Sequence, residues 1–254
     1  MRLNGRVAVV TGGGTGIGRA TALALARAGA AGVVVGYARS AEDAATVVAE
    51  AEALGVPALA RPADVGDDEA VRELAAATRA RFGRVDILVN NAGTTRAVPD
   101  HDLEGLTDDV WQELLDVNVV GAFRCARALA PDLRAARGAI INVASVSGYR
   151  AGGSSIAYGV SKAALLQLTR NLASALAPEV RVNAVAPGTV ATRWQTGLHG
   201  EQGFAARARE EREIVPLRAT AGPEHVAQAV LGLLAMDMVT GEVVIVDGGK
   251  HVRY

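Results

Sequence analysis

Short apolar runs alternate along this chain with longer segments in which apolar residues recur every three or four positions. Runs at Val7 to Thr11, Gly32 to Tyr37, Ala58 to Ala60, Val85 to Val89, Gly138 to Ala144, Arg181 to Ala186 and Glu242 to Val246 read as strands. Between them, 19–30, 41–54, 67–81, 108–129, 158–176 and 223–236 read as helices. Across 108–129 the stripe is Trp111, Leu114, Leu115, Val119 and Phe123, with Asn118 set inside it. Regular alternation of strand and helix predicts an α/β protein with a doubly wound parallel sheet and right-handed crossovers. No repeat, linker or low-complexity segment divides residues 1–254, so one domain is expected. Only 193–215 differs in texture, with Trp194, Gly197, Gly200 and Gly203 ahead of the charged run 207–213.

Several strand ends carry residues with chemical potential. Gly12, Gly16 and Gly18 fall between the first strand and the first helix, where a tight turn and free N–H groups at a helix start suit a pyrophosphate. The second strand ends in Tyr37-Ala38-Arg39-Ser40. An acid at that point would bind a free ribose 2′-OH, but the first acid is Glu42, already in the next helix, whereas Arg39 and Ser40 can bind a 2′-phosphate. This favours NADP(H), with NAD(H) as the alternative. Asp64 either caps the following helix or accepts from an adenine amino group while Val65 covers the ring. Asn90-Asn91-Ala92-Gly93 closes the fourth strand, at the sheet end where parallel α/β folds keep their ligands.

Ser145 leaves the fifth strand on that same side, and thirteen residues later come Tyr158 and, four further on, Lys162. On a helix the phenol and the ammonium face the same way. A neighbouring cation favours the phenolate, which makes the pair a candidate proton-transfer device. An isolated pair of this kind is an ordinary helix-surface feature, so its meaning rests on its surroundings. Asn118 reads either as a hydrogen-bonded core amide or as an organiser of a water or carbonyl near the site.

Composition narrows the classes. Half of the 254 residues are hydrophobic and the net charge is -1, which offers no electrostatic footprint for nucleic acid or an anionic membrane. Cys125, the only cysteine, sits in an apolar stretch and reads as a buried structural thiol. His101, His199, His225 and His251 have no ligand spacing, so no metal is expected. No apolar run is long enough to cross a bilayer and the start lacks a signal h-region, which makes a cytoplasmic protein the expectation.

Taken together, Thr11-Gly12-x-x-x-Gly16-x-Gly18, Asp64-Val65, Asn90-Asn91-Ala92-Gly93, Asn118, Ser145, Tyr158-x-x-x-Lys162, Pro187-Gly188 and Val246-Asp247-Gly248-Gly249 resemble the short-chain dehydrogenase/reductase family in order and spacing over essentially the whole chain. The resemblance implies a Rossmann-type single domain with a seven-stranded parallel sheet and helices on both faces. It also implies reversible hydride transfer between a nicotinamide and a ketone or secondary alcohol. In the implied roles Tyr158 gives or takes the hydroxyl proton, Lys162 lowers its pKa and binds the nicotinamide ribose, Ser145 orients the substrate oxygen, and Asn118 supports a proton relay. The implied cofactor crevice is made by Gly12, Thr15, Gly16, Ile17, Gly18, Tyr37, Arg39, Ser40, Asp64, Val65, Asn91, Ala92, Gly93, Tyr158, Lys162, Pro187, Gly188, Val190 and Thr192. Ser147, Tyr149 and Trp194 are expected on the substrate, under a lid at 189–215; a solvated helix explains the charge run equally well. Like its relatives, the chain is expected to form a homotetramer through the long helices around Asn118 and Lys162 and the last strand.

The Tyr37 to Ser40 stretch looks like those of NADPH-dependent 3-oxoacyl-acyl-carrier-protein reductases, which gives a more specific substrate alternative. Those enzymes usually present basic residues to the acidic carrier near the end of the helix bearing the catalytic pair, whereas this chain has Ala177-Pro178-Glu179. A cofactor-binding regulator without turnover is the alternative from another class; loss of Ser145, Tyr158 or Lys162 would be its mark, and all three are present.

Overall fold

The computed structural model describes residues 1–253. Seven strands form one parallel sheet: β1 (Val7–Thr11), β2 (Gly32–Tyr37), β3 (Ala58–Pro62), β4 (Ile87–Asn90), β5 (Ala139–Val143), β6 (Arg181–Pro187) and β7 (Val243–Val246). Their order is β3-β2-β1-β4-β5-β6-β7, so the winding reverses between β1 and β4. Such a switch point opens a crevice beyond the carboxyl ends of the strands.

Alternation of side chains explains how helices come to cover both faces. Ala8 and Val10 point to one side, where they meet Leu23 and Leu25 of α1 (Gly16–Arg27), Val47 of α2 (Ala41–Ala53) and Val230 and Leu233 of α8 (Pro223–Ala235). Val9, between them, points to the other side, among Leu74 of α3 (Asp68–Phe82), Leu129 and Leu133 of α5 (Gly121–Ala136) and Leu172 of α6 (Ile156–Leu176). Cys125 of α5 is buried in this second cluster, and burial pushes its thiol up to about 12, as expected for an inert packing residue.

Three differences from the sequence reading matter for the site. First, α1 begins at Gly16, three residues earlier than its apolar period indicates, so Gly16, Ile17 and Gly18 form its first turn. Second, 108–129 is not one helix. It is α4 (Asp108–Leu115), a π-helical turn at Asp116–Val120, and α5. Third, the charged segment after β6 is α7 (Arg193–Ile214), broken at Gly200, and the one buried residue it contains is Glu211.

Candidate active site

Local structure at the glycine turn follows from close contact. A Cβ on Gly18 would stand 2.2 Å from the Gly12 carbonyl oxygen, so only glycine lets α1 start against the end of β1. Asn91 holds this turn from across the switch point, its amide donating to the carbonyls of Thr11 and Gly12 at 3.0 Å each. Thr11 Oγ1 in return accepts from the Asn91 and Ala92 N–H groups. Helix α1 has no side-chain cap, which leaves the N–H groups of its first turn directed at the crevice. Asn90, the neighbouring amide in the same motif, turns the other way: it donates to Ala122 O and Asn142 Oδ1 inside the core.

A cavity of about 710 Å³ runs along the carboxyl ends of the strands. Of the residues expected to bind cofactor, seventeen belong to its lining, from Gly12 and Thr15 through Arg39, Asp64 and Asn91 to Val190 and Thr192. Gly18 and Tyr37 do not; Gly18 lies beneath the turn, and Tyr37 packs against the α1, α2 and α8 core. Asp64 is not the cap of α3, a position taken by Asp67, which accepts from the Glu69 N–H. Its carboxylate instead accepts from Gly66 N at 2.9 Å and borders the cavity beside Val65.

Close to the end of β2 stands a residue that sequence order had put out of reach. Asp43, in the first turn of α2, lines the cavity with Arg39 and Ser40, so a carboxylate is present after all. Its charge is paired with Arg193 at 2.7 Å, across the mouth of the cleft. Arg39 makes no ion pair among the described residues.

A second cavity, of about 640 Å³, adjoins the first and shares Ser145, Tyr158, Gly188, Trp194 and Gln195 with it. Helix α6 is capped by Ser155, whose hydroxyl accepts from Tyr158 N at 3.2 Å, and this puts Tyr158 in the first turn with Lys162 one turn below. The turn Val146–Gly148 after Ser145 packs directly on that helix: a Cβ at Gly148 would meet the Lys162 carbonyl carbon at 2.8 Å. Close approach of these two backbones brings the Ser145 hydroxyl near enough to the Tyr158 phenol to favour its ionised form, while Ser145 Oγ accepts from Ser147 N at 3.1 Å.

The electrostatics differ from the expectation that Lys162 lowers the phenol. Burial dominates and pushes Tyr158 up to about 12, with only the neighbouring Ser145 hydroxyl pulling the other way. The Lys162 ammonium donates to the Val143 carbonyl at 3.0 Å and lies 5.7 Å from the centre of the Tyr158 ring. Burial lowers its own pKa to about 8.

Asn118 lines neither cavity. The π-helical turn aims its amide at two elements: Nδ2 donates to Thr94 O and Ser161 Oγ, and Oδ1 accepts from Thr94 N. Ser161 then donates to the Tyr158 carbonyl at 2.8 Å. Asn118 therefore ties the loop after β4 to the helix that carries the pair.

Among the substrate residues expected from sequence, Ser147 and Trp194 line the second cavity and the Trp194 ring tilts over Tyr158 at 6.4 Å between centroids. Tyr149 does not line it. The turn that packs Gly148 against α6 sends Tyr149 toward Arg170 and Glu242. Missing from the sequence reading were Arg150, Gln195, His199, Arg207 and Lys250 of the lining, which no local pattern distinguishes from surface residues. Helix α7 is anchored through Glu211, which accepts from Thr189 Oγ1 at 2.5 Å and from Lys250 Nζ at 2.7 Å.

Comparison with known proteins agrees with this geometry. Residues 12–251 match the family model described as Enoyl-(Acyl carrier protein) reductase. The chain belongs to the short-chain dehydrogenase/reductase family and is an oxidoreductase that uses a nicotinamide cofactor. It is 45% identical over 248 residues to a Streptomyces violaceoruber protein provisionally named ketoacyl reductase 2 of the granaticin polyketide synthase, covering 97% of this chain and 96% of the relative. It is 40% identical to the 3-oxoacyl-[acyl-carrier-protein] reductase of Synechocystis sp., covering 97% of each. Among solved structures, a short chain dehydrogenase from Burkholderia cenocepacia in complex with NADP superposes with a TM-score of 0.88 at 36% identity, covering 99% of this chain and 100% of that one. Among the described residues no helix is long and apolar enough to cross a membrane, and no group of His, Cys, Asp and Glu could hold a metal ion.

Proposed function

We propose that this chain is an NADP(H)-dependent reductase of a 3-oxoacyl thioester, a ketone beside an activated acyl group. The observation that carries the reading is the Ser145 and Tyr158 hydroxyl pair at the junction of two cavities, one built for a dinucleotide and one open to a second molecule. The names of the relatives support the substrate class, and Arg39 with Ser40 and the neutralised Asp43 supports the 2′-phosphate. The glycine turn and uncapped α1 would hold the pyrophosphate, and Asp64 and Val65 would flank the adenine. When bound, the nicotinamide supplies the hydride.

The protein's own part is proton transfer and placement. Ser145 and Tyr158 donate to the substrate carbonyl oxygen, polarising it, and Tyr158 releases its proton to that oxygen as negative charge develops. A phenol pushed up to about 12 is protonated at neutral pH, which is the state that reduction requires. Lys162, which lines the cofactor cavity, would bind the nicotinamide ribose, and Asn118 acts as a positioning residue through Thr94 and Ser161.

The carrier argument from Ala177-Pro178-Glu179 weakens on this geometry, because that segment lies roughly 27 Å along the α6 axis from Tyr158 at 1.5 Å per residue and lines neither cavity. Residues 1–254 are read as one domain with 189–215 as its lid. A cytoplasmic homotetramer is the proposed form, its assembly supported by half-exposed Val120 at the end of the π-helical turn, Phe123 on α5, Ile156 and Val160 on α6, and Val244 on β7. Steady-state reduction of a panel of 3-oxoacyl thioesters, simple ketones and cyclic ketones with each cofactor tests the reading. Faster turnover of the thioesters with NADPH is expected; preference for a cyclic ketone or for NADH would overturn it.

A further inference from the structure

Two arginines on the second cavity have no task in the reduction itself. Arg150 follows the turn Val146–Gly148, and Arg207 stands on the second half of α7, beyond the break at Gly200. Both line the cavity that holds the Tyr158 phenol, and neither lines the cofactor cavity. The other charges nearby are engaged: Lys250 is paired with Glu211 at 2.7 Å, and Asp247 accepts from Gly249 N and His251 N. Arg150 makes no ion pair and no side-chain hydrogen bond among the described residues. Arg207 reaches a carboxylate only at 4.0 Å, that of the same Glu211. Besides Asp247, Asp100 is the one acid on the lining, against these two guanidiniums.

Depth decides which part of a ligand they meet. Ser145 is 8% exposed, whereas Arg150 is exposed and the Arg207 side chain is 43% exposed, so the proton donors mark the buried end of the cavity and the arginines its mouth. Much of the remaining lining is uncharged, with Ala97, Val98, Ser147 and Leu198 among it. Such a cavity fits a ligand that is neutral where it reacts and anionic far from that point. A pantetheine thioester has this form, because two amides and one hydroxyl separate the thioester from a terminal phosphate. We infer that Arg150 and Arg207 bind an oxyanion at the far end of the substrate, and that this oxyanion is the phosphate of a pantetheine arm. This rests on the thioester reading above and adds two substrate-binding residues to it.

The test is steady-state reduction by the full chain, with NADPH, of three thioesters. They are a 3-oxoacyl group on 4′-phosphopantetheine, the same group on pantetheine without the phosphate, and a pantetheine thioester whose 3-oxoacyl chain ends in a carboxylate. In wild type the phosphorylated arm should have a KM about tenfold or more below that of the unphosphorylated one, a difference that shrinks as salt is raised. Arg150→Met and Arg207→Met should each raise the KM for the phosphorylated substrate about three- to tenfold, and the double variant should handle the two arms alike. NADPH affinity should match wild type in all three variants, which certifies that they are folded. Equal KM values for the two arms in wild type, or a variant that raises both by the same factor, would overturn the inference. So would a loss confined to the carboxylate-ended chain, which would assign the arginines to the acyl end, or a matching loss of NADPH affinity, which would assign them to the cofactor. Failure of the wild-type chain to reduce any of the three thioesters would instead overturn the thioester reading itself.

Discussion

The Lys162 ammonium lies 5.7 Å from the centre of the Tyr158 ring while donating to the Val143 carbonyl at 3.0 Å. One buried cation is therefore shared between the end of β5 and the proton donor, and it has a thermodynamic signature. Burial lowers the Lys162 pKa from 10.5 to about 8. Between those values the unfolded chain binds a proton that the folded chain does not, so stability rises with pH across that interval. Below it, the folded protein bears the whole cost of the buried charge. Lys162→Met should abolish turnover yet flatten this rise, as measured by urea unfolding at a series of pH values. An unchanged slope would show that Lys162 is not the group responsible.

Cofactor choice depends on a balance of charge at the mouth of the cleft. Arg39→Ala should weaken NADPH by about 10- to 100-fold, the range for losing a charge-assisted bond to phosphate, and leave NADH nearly unaffected. Equal effects on both cofactors would defeat the assignment.

Arg193→Ala should act indirectly, by uncovering Asp43. Exposed pairs contribute little, and a two- to fivefold loss for NADPH is about what such a pair can give. The double variant Arg193→Ala/Asp43→Asn should recover that loss; a double variant as weak as the single one would show that Arg193 touches the cofactor directly.

Much of this was legible in the chain itself. The sheet and its helices follow from periodicity, and Ser145, Tyr158 and Lys162 follow from a strand end and a helical repeat. What sequence order concealed depends on packing. The π-helical turn at Asp116–Val120 has the same apolar period as a continuous helix, and only the need to aim Asn118 at Thr94 and Ser161 distinguishes it. Tyr149 is next to the catalytic turn in sequence and faces away from the cavity because Gly148 presses that turn onto α6. Asp43 looks like a solvent-facing helix residue until α7 returns Arg193 to it.

Glu211 is the same lesson in α7. Its charged run has the composition of a solvated face, yet Glu211 is 3% exposed and holds Thr189 and Lys250. Glu211→Ala leaves Lys250 unpaired and removes the one buried anchor of α7. The expected result is faster tryptic cleavage within 193–214 and a KM for the ketone raised about tenfold or more, with the affinity for NADP(H) unchanged. Wild-type cleavage rates and KM would remove Glu211 from this role.

The central claim is that Tyr158 gives the substrate oxygen its proton. Tyr158→Phe keeps the ring, its contact with Trp194 and the cavity, and removes only the hydroxyl. The decisive measurement is single-turnover NADPH oxidation by this variant with a 3-oxoacyl thioester, alongside its NADPH affinity. The account predicts a rate lowered by about 10²- to 10⁴-fold with cofactor binding intact. A rate close to that of the wild-type chain would contradict it.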